Sequence, residues 1–184
     1  MMNDTICALA TPQGGAISVV RISGPKAIEY TSQIFTPRKG VQLTERKSHT
    51  VVFGDICTDG KEILDEVLVT VMRAPYTYTG EDVVEISCHA SPYITQQILL
   101  TLFNLGARQA EPGEFTMRAF LNGKMDLSRA EAVADLISST SKASHRLAMN
   151  QLKGDFSNEL AGLRDKLLKL TTLMELGKLC LKHY

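Results

Sequence analysis

Charge of one sign is what this sequence most plainly lacks. Lys+Arg 20 balances Asp+Glu 20 over 184 residues. There is no bulk electrostatic pull toward nucleic acid, which argues against a chain whose main task is gripping phosphates. A local basic patch stays open. Cysteine is sparse: Cys7, Cys57, Cys88 and Cys180 form no C-x-x-C pair and match no zinc spacing. They read as buried or idle thiols in a reducing compartment. No apolar run approaches the ~20 residues of a membrane helix. The N-terminus, M-M-N-D-T-I-C-A-L-A, lacks the basic start and apolar core of a signal peptide. A cytoplasmic protein with no membrane partner is expected. Nucleotide cradles are missing as well. A P-loop needs G-x-x-x-x-G-K-[S/T]. The pairs Gly123-Lys124 and Gly177-Lys178 have Arg118 and Thr172 at the required upstream glycine, and Met125 and Leu179 follow them. No G-x-G-x-x-G occurs either, so the chain itself is expected to bind neither GTP nor ATP.

What is present is ordinary in bulk and informative in detail. Hydrophobic residues at 44% and charged residues at 22% suit a globular chain. Its length allows one large domain, or one domain with an appendage. Thr5–Ala10, Ala16–Ile22, Thr50–Cys57, Glu66–Met72 and Val83–Cys88 read as strands. Asp59-Gly60 is a hairpin turn signal between the third and fourth. Lys26–Phe35 and Ser91–Leu105 carry helical spacing, the second closed by Gly106. Thr36–Arg46 reads as a loop. Strands and helices without strict alternation predict an α+β fold, with helices packed on a largely antiparallel or mixed sheet.

The densest run of signals is Ala110–Ile137, A-E-P-G-E-F-T-M-R-A-F-L-N-G-K-M-D-L-S-R-A-E-A-V-A-D-L-I. Glu111-Pro112-Gly113 is a turn, Glu114–Leu121 a short helix, and Asn122-Gly123 its stop. Ser128 and Glu131 have capping-box spacing. Ala130, Val133, Ala134 and Ile137 then give the next helix an apolar face. Lys124 is left in the link, where a polar side chain can be aimed at something. Beyond Ser128 no strand pattern remains. Leu152, Phe156, Leu160, Leu163, Leu167, Leu170 and Met174 predict one long helix with an apolar stripe that needs a partner helix or a second subunit.

Three charged residues stand out. Arg21 shares a strand face with Ile17 and Val19, and Glu85 one with Val83. Either they form an ion pair or are simply exposed, or a guanidinium and a carboxylate line a ligand cleft. A carboxylate that accepts two N–H bonds suits the edge of a pterin or a guanine. Cys88-His89 is no nucleophile pair, because adjacent strand residues point to opposite faces. Tyr76 and Tyr78 could stack on a flat ligand, with loop packing the simpler reading.

R-I-S-G-P at Arg21–Pro25, Y-T-G-E-D-V-V-E at Tyr78–Glu85, and the long Ala110–Ile137 motif resemble the N-terminal region of the tRNA-modification GTPases of the MnmE (TrmE) family. The resemblance covers roughly Asn3 to Glu175. It implies a domain like the folate-binding domain of the glycine-cleavage T-protein, at 1–120, followed by the start of an all-α helical domain, at 121–184. It further implies a homodimer that binds 5-formyl-tetrahydrofolate or another reduced folate, with the family's folate-binding arginine, glutamate and lysine falling on Arg21, Glu85 and Lys124. In the complete family protein an inserted G domain binds GTP with magnesium and potassium. Together with the flavoprotein MnmG, that protein adds an aminomethyl or carboxymethylaminomethyl group to the wobble uridine of tRNA. Two departures are visible. His89-Ala90-Ser91-Pro92 replaces a frequent His-Gly-Gly-Pro, and Gly177–Tyr184 leaves the family pattern before any G domain. The latter reads as a truncated gene, a domain-length piece or an altered frame. The alternative is an assembly module of the same fold that has lost folate, with Arg21 and Glu85 as a structural pair. A stand-alone folate-dependent transferase is weaker, since no acid or base is evident.

Overall fold

The computed structural model describes residues 4–12, 14–57, 62–154 and 162–174. The chain divides into two compact units, Met1–Lys124 and Met125–Tyr184. The first is an α+β unit. Its strands are β1 (Ile6–Leu9), β2 (Ile17–Ser23), β3 (Phe35–Pro37), β4 (Thr50–Cys57), β5 (Ile63–Met72), β6 (Val83–His89) and β7 (Arg108–Gln109). They form one mixed sheet in the order β3-β4-β5-β6-β2-β1-β7. Every pairing is antiparallel except β1 with β7. Helices α1 (Ala27–Ile34), α2 (Pro92–Asn104) and α3 (Glu114–Leu121) complete the unit.

Period-2 alternation decides which face is covered. Val20 and Ile22 of β2, Val67, Val69 and Val71 of β5, and Val84 and Ile86 of β6 are buried. They pack with Ile28 and Ile34 of α1 and Ile98 and Leu102 of α2 in one core. Fully burying such a side chain contributes about 1.5–3 kcal/mol. The other face stays largely open: Val51, Phe53 and Leu68 are exposed on it. Arg21 and Glu85 lie on this open face.

Two strands have no counterpart among the expected elements. β3 occupies the start of the Thr36–Arg46 stretch, which also holds a 3-10 turn at Leu43–Glu45. β7 is only two residues long. Both are too short to show alternation, and each exists because a longer edge strand offers unpaired backbone groups beside it. β5 begins at Ile63, three residues before the run that alternation marks. The Asp59-Gly60 turn lies outside the described residues.

The second unit holds α4 (Leu127–Ser138), α5 (Lys142–Lys153) and a helix over 162–174, here α6. Three expectations are corrected. The N-cap of α4 is Asp126, whose carboxylate accepts from the Arg129 amide at 2.8 Å, so Ser128 lies inside the helix. A carboxylate at a helix N-terminus is favoured over a hydroxyl further along. The buried side of α4 centres on Ala132, and Ile137 is 81% exposed. The reason is the partner: the Gln151 amide of α5 donates to the Ser128 carbonyl at 3.1 Å, which turns the 128–132 side toward α5. The long stripe is also interrupted. Helix α5 ends at Gly154, whose φ of 85° is left-handed and closes the helix before the stripe can run on. Phe156 and Leu160 lie outside the described residues. Leu163, Leu167, Leu170 and Met174 are exposed on α6.

Candidate functional site

Antiparallel pairing of β2 with β6 sets Arg21 directly opposite Glu85. Opposite charges at facing positions attract, and the side chains meet. Arg21 donates from Nε to Glu85 Oε1 at 2.8 Å, and its Nη2 lies 2.7 Å from the same oxygen. Both guanidinium contacts fall on one carboxylate oxygen. Among the described residues Glu85 Oε2 accepts no hydrogen bond, so half of the carboxylate keeps its capacity for a ligand N–H. The pair is partly open, with side chains 29% and 27% exposed.

A wall stands beside it. The Arg21 guanidinium carbon lies 5.7 Å from the centre of the Tyr78 ring and 5.6 Å from that of Phe115. Cation–π attraction at such distances holds the guanidinium in place. Tyr78 belongs to the loop between β5 and β6, and Phe115 to α3. The Tyr78 hydroxyl is hydrogen-bonded to Thr116 at 2.8 Å. Asn122 donates to the Thr79 carbonyl at 2.8 Å, and Lys124 Nζ to the Pro75 carbonyl at 2.8 Å. Thus α3 and the residues that follow it grip one loop at several points. Lys124 touches neither Arg21 nor Glu85. It is joined to their surroundings through this loop, and among the described residues two of its three donors are uncommitted.

Behind the wall is an ionic network that sequence reasoning missed. Arg118 is 1% exposed. Its guanidinium donates to the Asp4 carbonyl at 2.9 Å, to Asp4 Oδ1 at 2.8 Å, to Glu81 Oε1 at 3.1 Å and to Glu114 Oε1 at 3.1 Å. Arg108 reaches the same Glu114 and Asp4. Ser23 donates to Glu81 Oε2 at 2.7 Å, which ties β2 to the loop. The Arg108 guanidinium, helped by the Glu111 amide and Arg118, outweighs burial and holds the Glu114 carboxyl down at about 2. The only local hint was the i,i+4 spacing of Glu114 and Arg118; Asp4 and Glu81 come from distant stretches.

Neither Cys7 nor Cys88 is a ready nucleophile. Burial pushes Cys7 up to about 12 and Cys88 up to about 11. Cys88 faces the core while His89 is exposed and hydrogen-bonded to Asp65 at 2.7 Å. Ala90 and Ser91, where the family often has two glycines, lead from β6 into α2. Ser91 is its N-cap with φ −80°, and neither residue adopts positive φ. No grouping of three or more metal-ligating side chains occurs among the described residues, and no described helix is long and apolar enough to cross a membrane.

A mixed-sheet α+β domain with a charged pair on its open face, followed in sequence by helices, defines the class: an α+β domain joined to a helical one. The comparisons then give the family. The model described as the GTP-binding protein TrmE N-terminus matches residues 5–124, and that of the MnmE helical domain matches 127–177. The chain belongs to the MnmE (TrmE) family. It is 60% identical over 177 residues to the tRNA modification GTPase MnmE of Bacteroides thetaiotaomicron, covering 96% of this chain and 38% of that protein. The protein of the same name from Flavobacterium johnsoniae is 57% identical over 174 residues, 94% of this chain and 37% of the relative. That of Phocaeicola vulgatus is 52% identical over 205 residues, 94% and 41%. The chain therefore spans about two-fifths of the length of these relatives.

Proposed function

We propose that this chain is the tetrahydrofolate-binding and dimerisation region of an MnmE-type tRNA-modification GTPase. The observation that carries the reading is the half-open Arg21–Glu85 pair, with one carboxylate oxygen uncommitted and aromatic rings beside it, in a chain matched to the family's N-terminal model. In this reading Glu85 accepts N–H bonds from the pterin edge. Arg21 and Lys124 face the formyl or ring oxygens, or the ligand's carboxylates. The folate supplies a one-carbon unit, and these residues hold and orient it. The complete protein would hydrolyse GTP with magnesium and potassium in a G domain. With an MnmG-like flavoprotein it would add an aminomethyl or carboxymethylaminomethyl group to the wobble uridine of tRNA in the cytoplasm.

A second reading has an observation in its favour. The Arg21–Glu85 ion pair does form, as an assembly module that had lost its folate would require. The two readings differ in what the pair is for. Truncating a hydrogen-bonded charged partner that the bound ligand would bury costs about 2–5 kcal/mol of affinity. Glu85→Ala should then weaken 5-formyl-tetrahydrofolate by more than ~10-fold in a calorimetric titration, with melting nearly unchanged. The assembly reading expects no folate binding in the parent. It also expects a stability loss in either single variant that the double variant partly recovers. Unchanged folate affinity in Glu85→Ala would place the site elsewhere.

A further inference from the structure

A second feature shares the open face of the sheet. A groove of about 540 Å³ is lined by Arg38, Lys39, Arg46, Val51, Val52 and Phe53. It runs along the edge of β4, because β3 pairs only with Gly54 to Ile56 and leaves residues 51–53 without a strand on the side away from β5. Three cations and no carboxylate line it, yet their charges are not equally committed. Arg38 lies over the Phe53 ring and is paired with Asp55 and Glu66. Arg46 donates only to the neutral carbonyls of Val41, at 3.1 Å, and Lys39, at 2.9 Å. The Lys39 ammonium has no partner among the described residues. Two positive charges are therefore left unneutralised beside an aromatic ring. Gly40, with φ +85°, turns the loop between Lys39 and Arg46.

The groove lies in register with the charged pair. Arg21 faces Glu85, Glu85 faces Thr70, and Thr70 faces Val51. One row thus crosses four strands from the pair to the groove, three spacings of about 4.8 Å or roughly 14 Å in all. A methylene, an aminobenzoyl ring and a glutamate reach about that far, comparable to four extended residues. Tyr78 and Phe115 stand on the Arg21 side.

We propose that this groove receives the glutamate tail of the reduced folate, with Lys39 and Arg46 meeting its carboxylates and Val51 and Phe53 the aminobenzoyl ring. The inference rests on the folate reading above and adds a preference for ligands with longer, more anionic γ-glutamyl tails.

The test compares three ligands by calorimetry on the whole chain: 5-formyl-tetrahydrofolate with one glutamate, the same with five, and a reduced pterin without a tail. Lys39 is exposed and forms no side-chain bond among the described residues, so Lys39→Glu leaves the fold intact, which circular dichroism checks. The pentaglutamate should bind the parent more tightly than the monoglutamate. That advantage should shrink with salt and fall at least about threefold in Lys39→Glu, while the tail-less pterin binds both proteins alike. Equal affinity for one and five glutamates in the parent, or an unchanged advantage in Lys39→Glu, overturns the groove assignment and leaves the folate site standing. No binding of any reduced folate overturns both. A short RNA that binds the parent, loses affinity in Lys39→Glu and leaves folate affinity untouched would make the groove a phosphate site and also overturn the assignment.

Discussion

At the scale of single residues, the most consequential side chain is Arg118, which no motif reading singled out. A buried guanidinium is tolerable only where carboxylates and carbonyls surround it. Asp4, Glu81 and Glu114 do so here. Its partner Glu114 links the network to pH. The ordinary value of 4.5 falls to about 2 in the folded chain, so unfolding takes up a proton at any pH between the two. The stabilisation is complete above 4.5 and is lost as pH falls through about 2. It amounts to on the order of 3 kcal/mol. Urea unfolding should therefore weaken steadily from pH 5 to pH 2, and Glu114→Gln should lower stability at pH 7 while flattening that slope. An unchanged slope in Glu114→Gln would assign the acid sensitivity to other carboxylates. Arg21 and Glu85 were legible because a charge on an apolar strand face breaks the alternation. Phe115 was legible only as an apolar helix residue. Nothing local tells that its ring stands beside a guanidinium set by β2.

At the scale of elements, long strands and helices followed from their periodicity, and their ends followed capping chemistry rather than spacing. Helix α5 is an example. Ser141 accepts from the Ser144 amide at 3.1 Å, and Ser144 Oγ accepts from the Ser141 amide at 3.2 Å, a reciprocal box. Removing such a cap costs about 1 kcal/mol. Ser141→Ala should speed hydrogen exchange in the first turn of α5 by about fivefold and leave exchange in the sheet of the first unit unchanged. Equal acceleration in both would mean that the cap acts on global rather than local opening. The Ser128–Glu131 spacing, by contrast, matched a capping box and was none, because Asp126 stands closer to the end of the same helix. The apolar face of α4 was misread for a related reason. Spacing marks which residues share a side, while burial is decided by where α5 makes its hydrogen bonds.

At the scale of the whole molecule, much apolar surface is left uncovered. Leu163, Leu167, Leu170 and Met174 are exposed along α6. Contiguous patches of this kind usually mark interfaces. The chain should self-associate, most simply as a two-fold dimer, and light scattering at tens of micromolar that gives a monomer mass would refute this. The fold class was readable because α+β character needs only the sum of many periodic segments. The edge order of the sheet was not, because it depends on the two-residue strand β7.

That strand carries a consequence for biosynthesis. β1 leaves the ribosome before the other strands of this sheet, yet its parallel neighbour β7 and the guanidinium that grips Asp4, 114 positions along the chain, are translated far later. Until then Ile6 and Cys7, fully buried at the end, have an unpaired edge beside them. Contacts of such sequence separation form slowly. A nascent chain stalled before Arg108 emerges therefore presents an open β1 edge, the place where a chaperone would find it.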